Sequence, residues 1–136
     1  MDIEDILRAK KKRVTPERIE MFQGLQELHL FQSHDLILRF PHIGRASIFR
    51  TLDLYMEIGV LRKLNFENRG DYYELASHHH HEHFQCTSCE RIFQFDVSHM
   101  CKTLEFLGRK QGFYVNHHQI VLSGLCANCH DALPQI

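Results

Sequence analysis

The chain of 136 residues has only three prolines and seven glycines, and no stretch of it approaches the 18 or more consecutive apolar residues of a membrane-spanning helix. The first shortage excludes collagen-like and low-complexity chains, and the second excludes a spanning helix. The N-terminus, Met1-Asp2-Ile3-Glu4-Asp5, is acidic with no apolar run behind it, so no secretory signal peptide is expected. An excess of one charge is also missing. Sixteen Lys and Arg face 17 Asp and Glu, and the formal net charge of -1 points to no class of partner. What remains is ordinary globular composition, 43% hydrophobic and 24% charged, enough for one domain or two small ones.

Two residue types are in excess, 12 His and 5 Cys, and all five Cys and nine of the His lie after residue 76. An odd cysteine count without a secretion signal fits the reducing cytoplasm, where paired Cys serve as metal ligands more often than as disulfides. The front half carries local positive charge instead. Arg8, Lys10, Lys11, Lys12, Arg13 and Arg18 are opposed only by Glu17, and Arg39, Arg45 and Arg50 follow. The division predicts a domain with a basic face over 1–76 and a metal-binding domain over 77–136.

Periodicity supplies the elements. Ile3, Ile6 and Leu7 mark a short amphipathic helix within 3–12. Thr15-Pro16-Glu17 is a helix start, with a capping hydroxyl, a proline at the first helical position and an acid in the first turn. Ile19, Phe22, Leu25 and Leu28 then give one apolar face over 16–28. Ser33 can cap a third helix that ends at Phe40, before Pro41. A fourth, from Gly44 to Gly59, buries Ile48, Leu52 and Tyr55 and turns Ala46, Arg50, Asp53 and Glu57 outward, with Phe49 at the edge. The period then changes to two in Val60–Phe66 and Asp71–Leu75, which flank a turn and predict a β-hairpin. Helices followed directly by a hairpin are the order of a winged helix-turn-helix, whose last helix enters the major groove of DNA. A small helical domain that binds no nucleic acid would share that order. In the second half, strands are expected through 84–86 and 91–96, then a helix capped by Ser98 and stopped by Gly112, then strand over 113–115 and 119–122. The fold class is α+β, a winged helix followed by a small α/β domain.

Cys86-Thr87-Ser88-Cys89 and Cys126-Ala127-Asn128-Cys129 are two Cys-x-x-Cys knuckles 36 residues apart, enough to close a tetrahedral zinc site of four thiolates. Such a site has no open position, so its role is structural. A thioredoxin-like redox pair is a poorer reading, because neither pair is expected between a strand and a helix start. His78-His79-His80-His81-Glu82-His83 runs into a strand. If it is extended, His79, His81 and His83 share one face while His80 and Glu82 share the other, so one segment can feed two metal sites. Glu74 and His29 are candidates to complete the first, His118 and Cys101 the second. Imidazole with carboxylate suits zinc, iron(II), manganese, cobalt or nickel. A solvated polar run is the bland alternative, as core packing is for Phe49 and for Cys101.

These stretches together resemble the ferric uptake regulator (Fur) family of bacterial metal-dependent regulators. The matching segments are Arg13-Val14-Thr15-Pro16-Glu17-Arg18, Gly44-Arg45-Ala46-Ser47-Ile48-Phe49-Arg50-Thr51-Leu52, Ile58-Gly59-Val60-Leu61, the His run into the first knuckle, and His118 leading to the second. The resemblance spans nearly the whole chain and implies a homodimer that binds double-stranded DNA at an AT-rich inverted repeat, through a winged helix and a C-terminal dimerisation domain. It implies no enzyme, membrane or small-molecule substrate beyond metal ions. By position, Cys86, Cys89, Cys126 and Cys129 correspond to the structural zinc ligands. Glu74, His81 and His83, with His29, correspond to a regulatory site for iron(II), zinc or manganese. His80, Glu82, Cys101 and His118 correspond to an additional metal site, where Cys101 replaces the usual carboxylate and favours zinc. Arg13 is implied in the minor groove, Arg45 and Ser47 at base edges, Phe49 against thymine methyls and Arg50 on phosphate. Gln94 stands where many members have a further acid, which weakens a peroxide-sensing reading.

Two other classes compete. A zinc enzyme would need an open metal and a base, and the deaminase pattern of His-x-Glu with Pro-Cys-x-x-Cys is absent. A zinc-ribbon module for RNA or protein would explain the knuckles but neither the His run nor the front half.

Overall fold

Thr15, Pro16 and Glu17 start their helix as the sequence implies. In the computed structural model, which describes residues 2–76, 81–116 and 118–134, α2 spans Pro16–Leu25 and the Thr15 hydroxyl accepts the Arg18 N–H at 3.2 Å. It follows α1, Ile3–Ala9, which buries Ile3 and Leu7. The buried face of α2 is Met21, Gly24 and Leu25, rotated from the expected stripe. Ile19, Phe22 and Leu28 pack at its margin. Helix α3, Ser33–Arg39, begins one residue earlier than a Ser33 cap requires. Gln32 is the cap, and its backbone N–H donates to Asp35 Oδ2 at 2.8 Å in a reciprocal capping box.

Helix α4, Arg45–Glu57, buries Ile48, Leu52 and Tyr55 as well as Thr51 and Leu54. Gly59 follows with φ of 80°, a left-handed stop that suits a residue without Cβ. The Tyr55 hydroxyl donates to the Arg18 carbonyl, and burial pushes its pKa up, so it remains a donor. The hairpin is β1, Leu61–Phe66, with β2, Gly70–Leu75. Phe31 pairs with Tyr73 in an isolated antiparallel bridge, adding a minimal third strand. These elements share one apolar core running from Ile3 to Leu75.

Gly24 shows how tight that core is. A Cβ there would stand 2.4 Å from the Phe40 ring, which is itself buried. Gly24→Ala should therefore destabilise the first unit by roughly 1–3 kcal/mol despite its better helix propensity, as read by thermal melting.

The chain divides into two compact units, Met1–Asn65 with Asp71–Ser77, and Phe66–Gly70 with His78–Ile136. In the second, β3 (His81–Cys86) lies between β4 (Ile92–Asp96), antiparallel to it, and β5 (Val121–Gly124), parallel to it. Helix α5 spans Ser98–Lys110, and a short α6 spans Ala127–Asp131. Ser98 is the first residue of α5 and not its cap; its N–H donates to Asp96 Oδ1 at 2.8 Å. The strand expected over Phe113–Val115 does not form. Those residues carry no ladder, and Phe113 and Tyr114 are exposed.

This second unit buries little apolar surface. None of the residues of α5 is buried, and Phe93, Met100, Phe106, Leu107, Phe113, Tyr114 and Leu122 are exposed. A unit with so thin a core needs a metal, a partner surface or both.

Candidate metal centre and nucleic-acid interface

Strand β3 ends on Cys86, whose ladder partner in β5 is Gly124. The chain then turns tightly. Thr87 N–H donates to the Gly124 carbonyl at 2.7 Å, Glu90 N–H donates to the Cys86 carbonyl at 2.9 Å, and Glu90 takes a left-handed φ of 64°. These bonds fold Cys89 back toward Cys86. The second knuckle opens α6, with Cys126 as N-cap and Cys129 within the first turn. Contrary to the sequence expectation, this pair does sit between a strand and a helix start. The reading as a redox pair still fails, because all four sulfurs lie within 4.8 Å of one another, and Cys89 and Cys126 are 3.9 Å apart. Sulfurs of a tetrahedral zinc site, each about 2.3 Å from the ion, stand roughly 3.8 Å apart. The donor set fits zinc held as a structural ion.

The electrostatics of the thiols agree. Cys86 is held down to about 6 by the backbone N–H of Cys126, at 3.4 Å, and then that of Cys89, at 3.5 Å. The Arg91 guanidinium, 3.4 Å from Cys89 Sγ, lowers Cys89. Cys129 is pushed up to about 11 by Cys126 and then Cys86 beside it. Four thiolates this close repel one another, and a dication is what lets all of them ionise.

A second convergence lies toward the other end of β3. Glu82 is fully buried, and its Oε1 is 3.7 Å from His118 Nε2, while its Oε2 accepts the Ile120 N–H at 3.0 Å. Cys101, on α5, places Sγ 3.5 Å from the same His118 nitrogen. His80, expected in this set, lies outside the described residues.

The residues expected at the regulatory site are divided between the units. Glu74 and His29 belong to the first, His81 and His83 to the second. Glu74 is fully buried near the end of β2, and its Oε1 takes an ion pair from Arg62. His83 is also fully buried, edge-on to Phe66 with ring centroids 5.6 Å apart, whereas His29 is exposed. His81 faces Asp96 across the β3–β4 ladder, and His83 faces Gln94.

Arg62, Arg91 and Asp96 were missing from the sequence reading. For Arg62 a signal existed, since equal steps back and forward from Asn68 reach Arg62 and Glu74. For Arg91 the sign was adjacency to a knuckle, and for Asp96 there was none before the ladder register was known.

On α4, Arg45 and Arg50 are exposed, Ser47 is half-buried, and Phe49 is 42% exposed and therefore not a core residue. Arg50 donates to Ser47 Oγ at 3.2 Å. Arg13 is exposed just ahead of α2. A helix with an outward aromatic between two arginines is built for a surface that is anionic outside and apolar in places, as the major groove is.

Fold and site together define a winged helix joined to a four-thiolate metal-binding unit. The model of the ferric uptake regulator family matches residues 9–123, and the chain belongs to that family of metal-responsive transcriptional regulators, which are not enzymes. It is 27% identical over 130 residues to the peroxide-responsive repressor PerR of Staphylococcus saprophyticus, covering 92% of this chain and 87% of that one. It is 32% identical over 120 residues to the ferric uptake regulation protein of Bordetella parapertussis, covering 79% and 86%. Among solved structures, the ferric uptake regulator from Pseudomonas aeruginosa with manganese superposes with a TM-score of 0.82 over 93% of this chain and 99% of that one. At 22% identity this speaks for the fold alone. No helix among the described residues is long and apolar enough to cross a membrane.

Proposed function

We propose that the protein is a homodimeric, cytoplasmic regulator that binds an AT-rich inverted repeat when its regulatory site holds a divalent metal, and thereby represses genes of metal uptake and homeostasis. Residues 1–76 would bind DNA, and residues 77–136 would dimerise and hold metal. Glu74 carries the reading. It is a fully buried carboxylate near the end of the wing, seven residues before His81, with His83 fully buried just beyond. Carboxylate and imidazole together suit iron(II), zinc or manganese, and a dication there draws donors on both sides of the connection between the units to one point. Glu74 exchanges Arg62 for that partner, His81 and His83 supply imidazole, and His29 is the candidate fourth donor. The connection is thereby restrained, and the two wings of a dimer hold one spacing that fits successive major grooves.

The exposed apolar residues of the second unit, Phe113, Tyr114 and Leu122 among them, support the dimer, because a second copy would cover them. Arg45 and Ser47 would read base edges, Phe49 a thymine methyl, Arg50 phosphate and Arg13 the minor groove. Phe49→Ala should weaken operator binding about tenfold, within the 1–3 kcal/mol of a base contact, and leave the melting temperature unchanged. A large fall in melting temperature would return Phe49 to the core.

The reading as a whole is tested by fluorescence anisotropy of a DNA fragment from the protein's own upstream region, after chelation of labile metal and then with iron(II), manganese, zinc, cobalt or nickel added. Binding that requires added metal is expected. Equal binding after chelation would contradict it.

A further inference from the structure

We infer that Phe66, Arg69 and Gln85 clasp the turn of the hairpin to the first Cys-x-x-Cys knuckle, and that Gln85 is thereby a positioning residue for operator binding. The positioning role rests on the metal-dependent DNA binding proposed above, to which it adds a second tether besides the regulatory site.

The division of the chain leads to it. Most of each hairpin strand lies in the first unit, but the turn, Phe66–Gly70, belongs to the second. The chain therefore passes between the units at 65–66, at 70–71 and at 77–78. A single crossing can swivel, whereas a turn held in place restricts it.

Three contacts hold the turn. Phe66 is buried edge-on to His83, Gln85 Nε2 donates to the Glu67 carbonyl at 2.6 Å, and Arg69 Nη1 donates to the Glu90 carbonyl at 2.7 Å. Two tight bends interlock in this way. Asn68 and Gly70 take φ of 63° and 81° in one, and Glu90 takes 64° in the other. The Glu90 bend is the one that folds Cys89 back toward Cys86, so an ion on those sulfurs fixes the shape that Arg69 grips.

Gln85 points to a role beyond packing. It is 2% exposed, and its Oε1 has no hydrogen-bond partner among the described residues, a state that costs free energy. An apolar side chain would avoid that cost and lose the bond to Glu67. That carbonyl also fixes which way the amide points, because the flipped amide would set two oxygens together. A cavity of about 60 Å³ lies beside the bond, lined from the turn by Glu67 and Asn68 and from the knuckle by Gln85, Cys86, Thr87 and Glu90. The turn is joined there by discrete hydrogen bonds and not by close packing, and such bonds can be removed one at a time.

The test uses the full chain with its tightly held zinc in place. Gln85→Met keeps the length of the side chain and removes both polar atoms. Anisotropy is read on the same upstream DNA fragment, at saturation with whichever of iron(II), manganese, zinc, cobalt or nickel binds it most tightly. Operator affinity should fall by about 2- to 10-fold and hydrogen exchange over 66–70 should quicken by a similar factor, the range of one neutral hydrogen bond. Zinc content and melting temperature should hold. Should Gln85→Met lose its zinc, Arg69→Ala decides by exchange alone, since residue 69 is exposed and its truncation spares the core. Exchange that does not quicken would overturn the clasp. Quickened exchange with wild-type operator affinity, or a lower melting temperature alone, would overturn the positioning role. A wild type that binds no DNA with any metal would instead contradict the proposed function, and the positioning role with it, while exchange still decides on the clasp.

Discussion

Cys126→Ser should release the tightly held zinc and unfold the second unit, leaving a monomer whose first unit stays folded. The magnitude follows from comparing two terms. Apparent binding of structural zinc by small domains is worth about 10–16 kcal/mol, and whole domains are stable by only about 5–15 kcal/mol. The second unit has little else to rely on, since its fully or nearly buried side chains include Glu82, His83, Gln85 and Cys86 alongside Phe66 and Val97. The first unit keeps the core that joins Ile3, Leu25, Ile48 and Tyr55. Zinc analysis, gel filtration and hydrogen exchange together should show a zinc-free monomer, with protection lost over 81–134 and retained in α2 and α4. A stable, zinc-free dimer would contradict this account of the knuckles.

His83→Ala should reduce operator affinity at limiting metal by about 10- to 100-fold, within the range of coupling free energies between sites. The zinc content should not change, because the four sulfurs lie elsewhere on β3 and beyond it. His83 is also a packing residue, edge-on to Phe66, so the truncation carries some loss of stability. Glu74→Gln separates the two effects. It keeps the shape of a fully buried side chain while removing its charge, and it leaves Arg62 without its ion pair. If both substitutions weaken metal-dependent binding and the metal-independent residue of binding is the same in each, the loss belongs to the metal. Wild-type affinity at limiting metal in either variant would contradict the assignment.

Much of the fold was legible because local rules and burial agreed. Thr15-Pro16-Glu17 could be read as a helix start because each residue satisfies a different orphan or dipole at a helix N-terminus, and α2 begins there. Ile48, Leu52 and Tyr55 gave α4 its inner face, and the turn at 67–70 gave the hairpin. What failed depended on competition between neighbours. Gln32 displaced Ser33 as the cap of α3 because its side chain completes a reciprocal pair with Asp35, a choice that propensity ranks the other way. Met21 took the buried position on α2, where spacing alone favoured Phe22. Phe113–Val115 has strand-forming side chains but no ladder, since pairing requires a neighbour and not only a propensity.

The candidate metal ligands divided in the same way. Cysteine spacing announces the four-sulfur cluster because a tetrahedral site made of two short knuckles needs nothing else from the chain. The approach of Cys101 and of Glu82 to His118 joins residues up to 36 positions apart and depends on α5 and β3 both meeting the segment before β5, which no local pattern records. Phe49 posed a different difficulty, since an aromatic beside Ile48 and Leu52 reads equally well inward or outward. Its exposure decides for the outer face of the helix.

The central claim is that metal and DNA binding are one coupled equilibrium, and linkage makes that directly measurable. The affinity of the dimer for its operator is determined with and without the effector metal, and the affinity for that metal with and without operator, at one salt concentration. The account predicts that both ratios exceed one and equal each other, at about 5- to 150-fold. A metal affinity unchanged by saturating operator DNA would contradict it.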